Sequence, residues 1–352
     1  MARIALTGRR QDILLHLRRL VRRHRNTAPE FCEQLLGLLQ EQPSGESPMR
    51  NSNSAMVPLD EESRLQLARV EEVVELDTQP IWPAEVSAAL DQFVAEREQE
   101  HRLLEAGVTA SNTILMTGPP GTGKTLAARW LAREIGRPLL TLDLTAVMSS
   151  FLGKTGMNTR HVLDYAKGTP SVLLLDEFDA IAKRRDDEAE IGELKRLVTV
   201  LLQEIDDWPP SGILVAATNH SELLDPAVWR RFDLVVQFPL PSATHVRQLA
   251  SQILAPHANV KHAYLHAMAR AFQGRSFADV KRLCEQMLRR SLVHGTDLSD
   301  EVYREVSKQA SQMSSAGRIE LAVDLVRNCS LSQRETHRLT GVSRDTIRKR
   351  TA

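Results

Sequence analysis

A short apolar run, Thr113-Ile114-Leu115-Met116, leads directly into Gly118-Pro119-Pro120-Gly121-Thr122-Gly123-Lys124-Thr125. Leu126, Trp130 and Leu131 then recur at helical spacing. Strand, glycine-rich loop and helix in that order fit the pattern G-x-x-x-x-G-K-[ST]. Glycine is needed where φ is positive or where the backbone must approach a ligand closely. The loop N–H groups and the start of the following helix form a cradle for anionic oxygens. Pro119, Pro120, Gly121, Thr122, Gly123, Lys124, Thr125 and Leu126 are the expected nucleotide-binding residues. Lys124 is placed to reach the β- and γ-phosphates of ATP, and the Thr125 hydroxyl to hold Mg²⁺.

About fifty residues later the chain reads Val172-Leu173-Leu174-Leu175-Asp176-Glu177-Phe178-Asp179. A continuous apolar run of this kind suits a central parallel strand buried on both faces. Asp176 at its end is the second expected Mg²⁺ contact, and Glu177 is placed to polarise an attacking water. The fold class that follows is α/β, a phosphate-loop parallel sheet sandwiched by helices.

With these motifs the chain resembles the AAA family of ATPases, in the AAA+ branch of ring-forming protein remodellers. Ile213-Leu214-Val215-Ala216-Ala217-Thr218-Asn219 is similar to a further sheet strand of that family, with Asn219 at the position that helps orient the lytic water. Leu224-Asp225-Pro226-Ala227-Val228-Trp229-Arg230-Arg231-Phe232-Asp233 resembles the second region of homology in the compact form of katanin-like and spastin-like members. The resemblance implies that Arg230 and Arg231 are arginine fingers reaching the γ-phosphate of a neighbouring subunit, and that the working species is a ring, a hexamer by similarity. It also implies a first pore loop at Phe151, Leu152 and Gly153, which grips a polypeptide; Lys154 stands where many relatives carry an acidic residue. Arg184, Arg185, Asp186 and Asp187 occupy the place of a second pore loop or form a solvated charged loop. Gly274-Arg275-Ser276-Phe277-Ala278-Asp279 looks like the opening of the helical lid; Ala278 replaces the arginine of other branches and has no expected catalytic role. Pro80-Ile81-Trp82-Pro83 falls in the region that contacts adenine in related ATPases.

At 352 residues the chain is too long for one ordinary domain. The expected organisation is a helical hairpin over 1–42, a linker over 43–75, a large ATPase subdomain over 76–241, a helical lid over 242–313, and a C-terminal segment over 314–352. In the hairpin, Ile13, Leu14, Leu17, Leu20 and Val21 make an apolar stripe opposed by Arg18, Arg19, Arg22, Arg23 and Arg25. That arginine face is either solvated or meets a membrane surface or nucleic acid. Formal net charge is zero, so any nucleic-acid contact must be local. Three cysteines without metal spacing fit reduced, inert thiols in a cytoplasmic protein. No apolar stretch approaches the roughly 20 residues that span a bilayer, and no signal peptide is evident.

In the C-terminal segment, Ser332 with Glu335 forms a capping box, Gly341 suits a sharp turn, and Ser343 caps the next helix. The spacing of Gln333, Gly341 and Ile347 resembles a helix-turn-helix, with His337 in place of the usual small residue where its helices cross. The second helix offers Arg344, Thr346, Arg348, Lys349 and Arg350 to duplex DNA, or to a protein. Two functions remain open at this point. One is an ATP-driven remodeller that threads a protein client, alone or beside a separate protease. The other is a DNA-associated ATPase switch that recruits a partner.

Overall fold

Successive residues of a strand face opposite sides of its sheet, and in this chain both sides are apolar. Ile114, Met116, Val172, Leu174, Ile213 and Val215 bury into one layer. Leu115, Leu173, Leu175, Leu214 and Ala216 bury into the other. That is why these strands read as unbroken apolar runs rather than as alternation.

The computed structural model describes residues 68–76, 78–144, 155–179, 201–258 and 260–351. The hairpin expected over 1–42, the linker up to 67, Phe151, Leu152, Gly153, Lys154 and the run Arg184, Arg185, Asp186, Asp187 lie outside the described residues.

The first part of the described chain comprises β1 (Arg69–Glu71), α1 (Ala84–Glu98), α2 (Glu100–Glu105), β2 (Thr113–Thr117), α3 (Lys124–Ile135), β3 (Leu139–Asp143), α4 (Thr155–Gly168), β4 (Val172–Asp176), β5 (Ile213–Thr218), α5 (Pro226–Trp229) and β6 (Leu234–Gln237). The six strands lie in the order β1-β3-β4-β5-β2-β6. All neighbours are parallel except β1, which runs antiparallel to β3. The linker expected over 43–75 therefore gives way to an edge strand before its end. Three residues are too short a run for alternation to be read from sequence. Helices α1 and α3 cover one face through Leu90, Phe93, Ala128 and Leu131. Helix α4 and helical residues 201–206 cover the other through Val162, Leu163, Leu201 and Ile205. The α/β sandwich expected from the motifs is thus the observed fold.

The remaining chain is helical: α6 (Ala243–Leu254), α7 (His262–Ala271), α8 (Phe277–His294), α9 (Leu298–Gln312), α10 (Ser315–Cys329), α11 (Gln333–Thr340) and α12 (Arg344–Thr351). Ser242, Ser276, Asp297, Ser314 and Ser332 each accept a backbone N–H at a helix start, which satisfies a donor the helix cannot. Gly341 ends α11 with φ of 69°, and its N–H donates to the His337 carbonyl. The Ser343 hydroxyl accepts from the Thr346 N–H at 3.2 Å. His337 does not obstruct the turn: its Nδ1–H donates to the Val342 carbonyl at 2.7 Å and holds it.

Leu321 and Leu325 of α10 and Leu339 of α11 share one apolar cluster with Leu254, Met268, Cys284 and Val302 of α6 to α9. Burial pushes the Cys284 thiol up to about 12, so it acts as a small apolar filler. Asp324 of α10 fixes the same junction. Burial would raise its carboxyl, but hydrogen bonds from His266 and Asn328 and the charge of Arg270 hold it below the ordinary carboxylate range. The His266 Nε2 to Asp324 distance is 2.6 Å and the Arg270 Nε distance 3.3 Å. Among the described residues no helix is long and apolar enough to cross a membrane. Leu325→Ala should cost about 2–5 kcal/mol and accelerate amide exchange in α6 to α9 as well as in α10 to α12. An effect confined to α10 to α12 would show that the two helical parts have separate cores.

Candidate active site

Strand order decides which residues meet. In open parallel sheets ligands bind beyond the carboxyl ends of the strands. β5 lies between β4 and β2, so Asn219, just past the end of β5, sits between Asp176 and the loop that leaves β2.

The loop itself has no room for side chains at two points. A Cβ on Gly118 would lie 2.1 Å from the Phe238 carbonyl oxygen, and this glycine has φ of +140°. A Cβ on Gly121 would lie 2.7 Å from the Ser276 Oγ and 2.9 Å from the Ala278 Cβ, at φ of +73°. The first contact packs the loop against the end of β6, and the second packs it against the start of α8. The Ala278 N–H donates to the Gly121 carbonyl at 3.1 Å. Ala278 therefore touches the loop through its backbone, a role that its side chain does not advertise. Thr122 turns inward and donates to the Pro119 carbonyl at 2.8 Å.

Lys124 opens α3 and is buried. Its Nζ donates to the Gly118 carbonyl at 2.6 Å, the Pro119 carbonyl at 3.0 Å and the Asn219 Oδ1 at 2.7 Å. Burial pushes the ammonium down to about 8, against the opposing pull of Asp176 and Asp179. Thr125 Oγ1 donates to Asp176 Oδ2 at 3.2 Å. One hydroxyl and one carboxylate converging this way fit Mg²⁺, which keeps several waters and takes further oxygens from nucleotide phosphates. Among the described residues no group of three or more His, Cys, Asp or Glu could hold a metal.

Glu177 follows the strand with φ of 55°, a left-handed conformation costly for a non-glycine residue. Its N–H donates to Asp176 Oδ1 at 3.0 Å, and the Phe178 N–H donates to the Ala217 carbonyl at 2.9 Å. These bonds turn the chain so that Glu177 is exposed at the site while Phe178 is buried. Asp179 is a site residue that the motif reading passed over. Its Oδ1 accepts from Thr218 Oγ1 at 2.8 Å and from the Asn219 N–H at 3.3 Å, which fixes the end of β5. Its place as a third carboxylate just beyond the end of β4 was the available signal.

The two adjacent arginines differ. Arg231 is half-buried and pairs with Asp206, and its Nη1 donates to the Leu202 carbonyl at 3.2 Å. Arg230, at the end of α5, is exposed. Phe232 follows them and meets Phe178 edge-on, with ring centroids 6.0 Å apart. Asp233 ties this segment to β2, accepting from the Asn112 and Thr113 N–H groups at 2.8 and 3.1 Å. Beside the loop, Trp82 packs edge-on to Trp130 at 5.6 Å and lies against Gly123. A cleft of about 580 Å³, lined by Gln79, Ile81, Arg247, Ser251, Gln252 and His262 among others, opens between this segment and helices α6 and α7.

Residues 114–240 match the family model for ATPases associated with various cellular activities. An uncharacterised AAA family ATPase of Sinorhizobium fredii, y4kL, is 38% identical over 62% of this chain and 68% of its own length. The chain belongs to the AAA family of ATPases. The ATPase is also 36% identical to the ATP-dependent zinc metalloprotease FtsH of Acidothermus cellulolyticus, over 57% of this chain and 31% of that protein. It is 33% identical to the proteasome-activating nucleotidase of Methanothermobacter thermautotrophicus, over 51% and 46%. It thus spans about two thirds of the first of these relatives and less than half of the other two. Hydrolysis of ATP is its activity.

Nucleotide affinity should fall as pH rises from about 7 to about 9, because the protonated Lys124 is the form that attracts phosphate. Calorimetric titration over that range checks it. A pH-independent affinity would show that the Lys124 charge is not what the phosphates meet.

Proposed function

We propose that this ATPase works as a ring, hexameric by resemblance, that uses hydrolysis to pull on a protein partner. The observation that carries the reading is the split in the site's charges. Lys124, Thr125, Asp176, Glu177 and Asn219 gather at the carboxyl ends of the strands, whereas Arg230 is exposed at the end of α5, on a segment that Asp233 ties to the opposite end of β2. An arginine in that position serves a neighbour's phosphate better than its own. The relatives whose names declare an action on proteins, a proteasome-activating nucleotidase and an ATP-dependent protease, support the same direction.

In this reading Lys124 and the loop N–H groups hold the β- and γ-phosphates. Thr125 and Asp176 would hold Mg²⁺, which would supply charge neutralisation for the phosphates. Glu177 polarises the lytic water, Asn219 fixes its position, and Arg230 acts across the subunit interface with Arg231 anchoring the turn through Asp206. The cleft between Ile81 and α6 receives the adenine. Phe151, Leu152 and Gly153 grip the client. The sequence carries no His-Glu-x-x-His pattern, so a proteolytic outcome calls for a separate protease.

The C-terminal helices favour a second reading, in which the ATPase is brought to duplex DNA through Arg344, Thr346, Arg348 and Lys349 and acts on a partner there. Its support is the pair of capped helices α11 and α12 with a three-residue turn between them.

Glu177→Gln should retain ATP binding and lower turnover by about 10² or more; near-normal turnover would remove Glu177 from its role. Phe151→Ala should keep basal hydrolysis while abolishing client remodelling, scored on proteins trapped by the Glu177→Gln ring. Full remodelling by that variant would overturn threading.

A further inference from the structure

Helices α10 to α12 are the far half of the lid rather than a tethered appendage, and the lid clasps the phosphate loop. We propose that duplex DNA laid against α12 sets the rate of ATP hydrolysis through this rigid connection. The proposal rests on the second reading above and adds the regulation that follows from how the helices are built in.

The outer surface is basic. Residues 315–351 hold eight arginines and lysines against four carboxylates, in a chain whose formal net charge is zero. On α12, Ile347 is buried against Ala322 and Val342, while Arg344, Arg348, Lys349 and Arg350 are exposed. Arg327 of α10 donates to the Arg350 carbonyl at 2.9 Å and so holds the end of α12. A short helix with one apolar face locked down and a basic face outward, reached through a tight turn from α11, has the form that enters a major groove. Its cations would displace counterions from phosphates, making binding steeply salt-dependent.

The inner connection is continuous. Leu321, Leu325 and Leu339 pack in the lid core, and α9 packs against α11. Buried Gln309 of α9 accepts from Arg275 Nη2 at 2.6 Å and donates to buried Glu305 at 2.9 Å. Arg275 adjoins Ser276, the residue packed on Gly121. A shift of α9 therefore moves the turn that clasps the loop. In this proposal the contact between that turn and Gly121 is the element that both DNA and nucleotide bias. Coupling between binding sites is reciprocal, so nucleotide must change DNA affinity by the factor that DNA changes nucleotide affinity.

The experiment uses the full chain and a labelled mixed-sequence duplex of about 30 base pairs, measuring duplex binding by anisotropy and steady-state ATP turnover in parallel. Saturating duplex should change turnover by about fivefold or more. The double variant Arg348→Glu, Lys349→Glu should lose duplex binding and the response while keeping basal turnover. Gln309→Leu and, as a milder cut of the same bond, Arg275→Met should bind duplex normally but respond weakly. Absence of duplex binding in the wild type would overturn the DNA reading itself. Binding without any change in turnover would overturn the coupling and leave that reading standing. A normal response in both the Gln309 and Arg275 variants would overturn the connection through α9. An equal response to polyglutamate would overturn the assignment of duplex as ligand.

Discussion

The site is organised around one buried ammonium. Removing a lysine from water is costly unless its donors are met, and Lys124 meets them with two loop carbonyls and the Asn219 side chain. Those partners come from the end of β2 and the end of β5, so the sheet order is a precondition for the charge. The cost is visible in the ammonium itself, whose protonated form is weakened until the pKa falls to about 8. In the proposed function, an incoming phosphate would offer Lys124 a stronger partner than a carbonyl or an amide, and would free the Asn219 oxygen for water. Binding and the positioning of water are linked in that proposal through a single hydrogen bond.

Close packing on the same loop connects the rest of the molecule to it. Gly118 touches the end of β6, and Gly121 touches the start of α8. Neither gap admits a methyl group, so a displacement of the loop is felt in both neighbours without any intervening soft layer. The β6 contact leads back through Asp233 to the start of β2 and to the arginine turn. The α8 contact leads into the helical core that Leu325 and Leu339 complete. The loop is thus the place where sheet and lid register each other.

What could be read in the sequence was what is local. The glycine spacing, and Asp176 and Glu177 at the end of an apolar run, involve residues within one turn or one strand and lie where the pattern placed them. Of the expected Ser332–Glu335 capping box one half forms: the Ser332 hydroxyl accepts from the Glu335 N–H, while the Glu335 carboxylate accepts from that hydroxyl. What could not be read depends on distant packing. Asp233 acts on β2 about 120 residues earlier, and Ala278 holds Gly121 by its N–H, a group that every residue but proline has. β1 is three residues long and is defined only by its antiparallel partner. His337 bonds the Val342 carbonyl, a contact that only the folded turn creates.

The paired arginines show how identical neighbours acquire different tasks. Hydrolysis spreads negative charge over the transferred phosphoryl oxygens, and stabilising it needs cations fixed in place. Arg231 has already committed its guanidinium to Asp206 and the Leu202 carbonyl, so moving it to a phosphate would leave Asp206 without that partner. Arg230 carries no comparable commitment in its exposed setting. It stands on a turn that Arg231, the Phe232–Phe178 contact and Asp233 hold rigid. Phe178 is the residue after Glu177, so the Phe232–Phe178 contact joins the arginine turn to the left-handed turn that follows β4.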